Sequence, residues 1–159
     1  MRFHHFFLQL WMVAGIVMGS TGVIWAGEEH HHHPGQATTE LTLNQGKPWA
    51  TDAPLRQGMA GIARDLEAAL PRIHADAYSM AEYTVLANRL HGHVEFMVKN
   101  CKLPPDVDAQ AHGVLEQILA GVNVMEGKSG QAQGAVLVLQ ALERYARHFD
   151  HPGWQPVNH

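Results

Sequence analysis

The chain has 159 residues and a single Cys, which allows one small domain and no disulfide within the chain. Its 11 Lys and Arg against 15 Asp and Glu give a formal charge of −4 with His neutral, which argues against a nucleic-acid partner. There is no nucleophile beside a base in a recognisable motif, no Gly-rich phosphate loop, and no Glu-x-x-His pair within the predicted helices, so a binding protein is expected rather than an enzyme.

Residues 1–26 read as a secretory signal peptide. Arg2 leads into the apolar run Phe6 to Met18, and the segment closes on small residues and Ala26. Gly15, Gly19, Ser20, Thr21 and Gly22 keep the uninterrupted apolar run shorter than the roughly 20 residues of a spanning helix, which favours export to the periplasm with cleavage after Ala26 over an uncleaved inner-membrane anchor. Without Arg2 the mature chain carries 10 basic and 15 acidic residues, a formal charge of −5. In an oxidising compartment Cys101 would be buried, bound to metal, or used between two chains of a homodimer.

Residues 27–51 form a polar, His-rich linker, expected to be mobile. His30, His31, His32 and His33 are adjacent neutral imidazoles, able to chelate copper, nickel or zinc loosely without any fold. An engineered tag is the alternative origin of this run, but it counts four His and follows a native-looking signal.

Four helices follow. In the first, Asp52 can cap and Pro54 suits a first turn. Its apolar residues Leu55, Met59, Ile62, Leu66, Ala69 and Ile73 repeat at intervals of 4, 3, 4, 3 and 4, and Pro71 is expected to kink or break it near Leu70. The second opens on Ser79-Met-Ala-Glu82, a capping box, and carries Tyr83, Ala87, Leu90, Val94, Met97 and Cys101 at the same intervals. Leu103-Pro104-Pro105 stops it. Asp106 is expected to cap the third, whose seam is Ala111, Leu115, Ile118, Val122 and Met125. Gly127, Ser129 and Gly130 make a turn into the fourth, with the seam Ala135, Leu139, Leu142, Ala146 and Phe149, and Pro152-Gly153 ends it. Four seams of similar length joined by short links specify an all-α, antiparallel up-down-up-down four-helix bundle over residues 52–159.

That topology gathers the soft ligand candidates at one end: Met59 from the first helix, Met97 and Cys101 from the second, His112 from the third, and Tyr145 and His148 from the fourth. His74 falls at the other end, as a solvated histidine. On a helical wheel Met59, Met97 and Cys101 face inward. His91 and His93 lie about 80° from the centre of their seam, while His112 and His148 lie about 100° from theirs, so these are boundary positions. His151, just past the last helix, can fold over the same end with Trp154 as an apolar lid. Thiolate, thioether and imidazole together favour a soft or borderline ion, copper or zinc, over magnesium or calcium. The expected metal ligands are therefore Met59, Met97, Cys101, His112, His148, His93 and His151, with His30 to His33 as a loose collecting tail and a periplasmic metal donor or acceptor protein as partner. A second reading places haem b between the helices with Met59 and His148 as axial ligands, the pairing that raises reduction potential. A third is a structural or partner-binding bundle without a cofactor, in which Met and Cys are core residues.

Two resemblances attach to these residues. Leu55-Arg-Gln-Gly-Met59, with a His near the end of the fourth helix, is similar to the soluble periplasmic four-helix cytochromes b, which implies the axial roles of Met59 and His148. Trp49 to Met59, Asn100-Cys-Lys-Leu103, Asp108 with His112, and Tyr145 to Trp154 resemble the DnrO-like family of small exported proteobacterial proteins, over most of residues 49–154. That likeness implies export and a helical bundle.

Overall fold

The computed structural model describes residues 40–159; the predicted signal peptide, the first part of the linker and His30 to His33 lie outside the described residues. Four helices fill the described chain: α1 (Ala53–His74), α2 (Met80–Asn100), α3 (Pro105–Glu126) and α4 (Gln131–His148). Each packs on its neighbour in sequence, and α4 returns to α1, so the helices close a ring around one apolar core.

Individual contacts fix the directions. Early α1 meets late α2, where Gly58 lies against Met97, and late α1 meets early α2 through the Arg72–Glu82 ion pair. The end of α2 and the start of α3 share a groove lined by Cys101 and His112. Gly121, late in α3, lies on Gly134, early in α4, while Arg144 late in α4 donates to Gln117 Oε1 of α3 at 2.6 Å. The bundle is antiparallel throughout, as the seams predict.

The predicted seams of α1, α2 and α3 are buried almost residue for residue, with Met59, Ile62, Leu66, Leu90 and Ile118 excluded from solvent. Ile73 and Cys101, at seam ends, are half-buried. In α4 the inward stripe differs from expectation. It runs Ala135, Val138, Ala141 with Leu142, Tyr145 and Phe149, while Leu139 is half-buried and Ala146 exposed. The stretch Ala135 to Leu139 is apolar at every position, so spacing alone leaves the inward face ambiguous.

Three local expectations change. Pro71 does not end α1, which is continuous to His74. It lies in the last turn, where the amide it lacks removes a single bond, and its carbonyl still accepts from Ala75 N at 3.2 Å. Asp106 does not cap α3. The cap position is Pro104 and the first helical residue Pro105, which places Asp106 and Asp108 within the first turn, where carboxylates favour the helix dipole. Residues 41–51, expected to continue the linker, pack on the bundle. Leu41 is buried, Thr42 N donates to Gln110 Oε1 at 2.8 Å, and Trp49 Nε1 donates to Thr42 O at 2.6 Å.

The capping box of α2 forms as predicted. The Ser79 hydroxyl accepts from Glu82 N, and Glu82 returns the contact to Ser79 N at 2.9 Å. These Ser79 bonds, with Arg72 beside them, hold the Glu82 carboxyl down at about 2.

A two-residue parallel strand pair, β1 (Trp49–Ala50) and β2 (Phe149–Asp150), was not signalled by any strand pattern. It joins the chain just before α1 to the chain just after α4. Thr51 Oγ1 donates to Asp150 O at 2.6 Å, and Arg56 Nη1 donates to Thr51 O at 2.5 Å and to Thr51 Oγ1 at 3.0 Å. Among the described residues, no helix is long and apolar enough to cross a membrane.

Candidate functional site

The end of the bundle holding the α1 and α3 starts and the α2 and α4 ends is built around Asp52. Its Oδ1 accepts from Leu55 N at 2.8 Å, capping α1, and its Oδ2 accepts from Lys102 N at 2.7 Å, across 50 residues of chain. One carboxylate thus ties the first turn of α1 to the residue after Cys101. Cys101 ends α2 as its C-cap, with its amide donating to Met97 O at 2.9 Å. Its thiol is pushed up to about 12, first by burial and then by the negative charge and hydrogen bond of Asp52, so it stands protonated at neutral pH.

Beside the thiol is a groove of about 220 Å³. Leu55, Met97, Leu103 and Leu115 form its apolar walls, and Cys101, Asp108 and His112 supply polar groups. The structure thus brings together three of the predicted ligands, Met97, Cys101 and His112. Met97 is seated over Gly58, where a methyl group would overlap its side chain. His112 is exposed on α3, and its Nδ1 sits 2.9 Å from Asp108 O and 3.4 Å from Asp108 Oδ2. That contact leaves Nε2 as the imidazole nitrogen available to a ligand.

The other predicted ligands lie elsewhere. Met59 is fully buried in the core one turn inward, with no part in the lining of this groove. His93 is two turns back along α2, where its Nε2 lies 3.0 Å from Asp65 Oδ2 and its ring rests on Gly61. His91 is exposed and pairs loosely with Glu95 at 3.6 Å. His148 faces away, lining a separate groove with Glu40, Leu41, Arg144 and Arg147, and its Nδ1 lies 2.8 Å from Arg144 O. Met59 is not part of that groove, so the two residues expected as axial haem ligands face different surroundings. His74 is exposed at the opposite end, as expected.

His151 does fold over the near end, but onto Tyr145. Tyr145 is 1% exposed, and its hydroxyl lies 2.9 Å from His151 Nδ1. Phe149 stacks on the Tyr145 ring at 5.1 Å, and Trp154 closes over it at 5.1 Å, the lid expected from sequence. Burial pushes the Tyr145 phenol up and the His151 imidazole down, with Arg56 adding to the effect on His151.

Asp52 as a bridge and Tyr145 as a core residue escaped the sequence reading. The Asp52–Lys102 contact is tertiary and carries no local signature, whereas Tyr145 stands three residues after Leu142 and seven after Val138, a spacing that could have placed it inward. Among the described residues, no three His, Cys, Asp or Glu side chains group as a metal site. No family model, curated protein or solved structure matches this chain.

Proposed function

We propose that this protein binds a soft transition-metal ion, Cu(I) foremost, at the α2–α3 groove, with Cys101, Met97 and His112 as ligands, in metal storage or handling after export to the periplasm. The observation that carries the reading is the shared lining of one groove by a thiol, a thioether and an imidazole, a set suited to a soft ion of low coordination number. Leu55, Leu103 and Leu115 line the groove beside the two sulfur groups, and a soft ion prefers such sulfur donors to the oxygen ligands of a hard ion. Because the thiol is protonated, the ion must displace a proton as it binds. Asp108 then helps to hold the His112 ring. The His30 to His33 run supports a collecting role for the tail, and the likeness of residues 49–154 to the DnrO-like family supports export.

Competition between the full chain and a colorimetric Cu(I) chelator tests this reading. One tightly held ion is expected, with Cys101→Ala weakening binding by more than about tenfold, since a charged sulfur donor is lost. Met97→Ala and His112→Ala should each weaken it less, and His74→Ala should leave it unchanged. Absence of stoichiometric Cu(I), or equal affinity in all four variants, overturns the proposal. A Soret band in the purified protein that disappears in His148→Ala would replace it with the haem reading.

A further inference from the structure

Beyond α4, residues 151–159 run back along the helix and hold it at two points. At the near point lie His151 on Tyr145 and Trp154 on both rings, at 5.0 Å from His151 and 5.1 Å from Tyr145. At the far point Asn158 Nδ2 donates to Glu67 Oε1 of α1 at 2.9 Å, and His159 Nε2 lies 3.9 Å from Glu143. Between them, Trp154, Pro156 and Val157 face Leu139, Leu142 and Ala146 across an apolar groove of about 240 Å³.

We propose that this C-terminal segment is an acid-released strap, in which neutral His151 accepts the buried Tyr145 hydroxyl proton and protonation of His151 frees residues 151–157 from α4.

The argument begins with Tyr145. Its hydroxyl is a donor inside the protein, and the partner the structure provides is His151 Nδ1. A buried hydroxyl needs its acceptor. Neutral imidazole offers one lone pair and one N–H, so Nδ1 accepts and Nε2 carries the proton. Once protonated, both ring nitrogens are donors, and the Tyr145 proton must find another acceptor.

The groups facing His151 set the direction. Arg56 of α1 repels an imidazolium, and Asp150 of β2 attracts one. Tyr145 of α4 and Trp154 of the strap itself supply the buried, aromatic surroundings. Asp52 and Cys101 lie beyond, acting on Tyr145. Burial is the largest influence on His151, ahead of Arg56, and both disfavour the cation.

The released state carries an ordinary His, so closure is fully favourable above about pH 6.5 and weakens as pH falls from there toward the lower value of the closed state. The far point is held by the Asn158–Glu67 hydrogen bond, which does not involve His151, so release is expected at the near point first. Opening there bares Tyr145 and the apolar side of α4, which a partner could read as a signal of acid.

Amide hydrogen exchange of the full chain at pH 7.5 and pH 5.0, corrected for intrinsic rates, tests the strap. Trp154 N is a direct reporter, since it donates to His151 O at 3.0 Å. Protection across residues 151–157 should fall at least about threefold at pH 5.0 while that of α1 is unchanged. His151→Asn retains an acceptor without a titrating group, and should show no difference between the two pH values, whether its strap is closed or open. Equal protection of the wild-type strap at both pH values overturns the proposal. So does an undiminished fall in His151→Asn, or a fall shared by α1.

Discussion

The α1–α2 and α3–α4 interfaces both use glycine to bring helices close, and they fill the space so gained in different ways. Between α3 and α4, a Cβ at Gly121 would stand 2.6 Å from Gly134 O, and one at Gly134 would stand 2.5 Å from Gly121 O and 2.9 Å from Met125 N. There backbone meets backbone. Between α1 and α2 the glycines seat side chains instead: Gly58 under Met97, and Gly61 under the His93 ring, where a Cβ would lie 2.5 Å from Cε1. A side chain can rotate aside, but a helix backbone can move only with everything packed behind it. One half of the bundle is therefore fixed by main-chain contact, and the other keeps adjustable side chains, among them the Met97 thioether proposed to bind metal.

Substitutions that add one methyl group should separate these cases. Gly134→Ala is expected to be the most damaging. Helix propensity favours Ala over Gly by about 1 kcal/mol, yet overpacking that can be relieved only by separating two helices costs about 3 kcal/mol, so a net loss of about 2 kcal/mol is expected in urea unfolding. A neutral Gly134→Ala would mean that α3 and α4 are not held this close. Gly61→Ala should cost about 1 kcal/mol, because its methyl group displaces the His93 ring from Asp65. Adding His93→Ala should recover part of that loss, a coupling that no side-chain truncation can supply for Gly134. Additive losses would remove the side-chain explanation. Gly92, exposed on α2 with open space around its missing Cβ, is the control. Gly92→Ala should stabilise the protein by about 0.5–1 kcal/mol, visible as a raised urea midpoint.

These glycines also mark how far the sequence can be read. Periodicity found the seams of α1, α2 and α3 because each has one apolar stripe set off by polar residues. In α4 it found Ala135, Leu142 and Phe149 but missed Val138 and Tyr145, because Val136, Leu137 and Leu139 compete with Val138 for the inward face and composition does not choose among them. Asp52 was legible as a cap because capping is local; its second bond, to Lys102, depends on how α2 ends and is not. For the site, chain topology placed Met97, Cys101 and His112 at one end, and they line one groove. The same step could not see that Met59 is one turn too deep or that His148 lies on the outward side of α4. Distance along a helix axis was readable, but rotation about it was readable only to within a side chain. Gly121 and Gly134 carried a signal that spacing overlooks, since a glycine within a helix of otherwise good helix formers costs stability unless something occupies the space it leaves.

The strand pair Trp49–Ala50 with Phe149–Asp150 has a consequence for how the molecule assembles. Apart from the return of α4 to α1, the helix contacts join neighbours in sequence, so each helical hairpin closes a short loop and can form early. The clasp pairs residues 100 positions apart, and the entropy of closing so long a loop falls sharply once the hairpins have shortened the effective path. It is therefore expected to form last, and its register depends on the start of α1 and the end of α4 already lying side by side. Because Ala50 and Phe149 are then adjacent, the folded unit is nearly cyclic. Joining them by a short linker and opening new termini in the Gly127–Gly130 turn would keep the contacts among the four helices, without those made by residues 41–49 and 150–159, while converting the contact expected to form last in the natural chain into a covalent starting point.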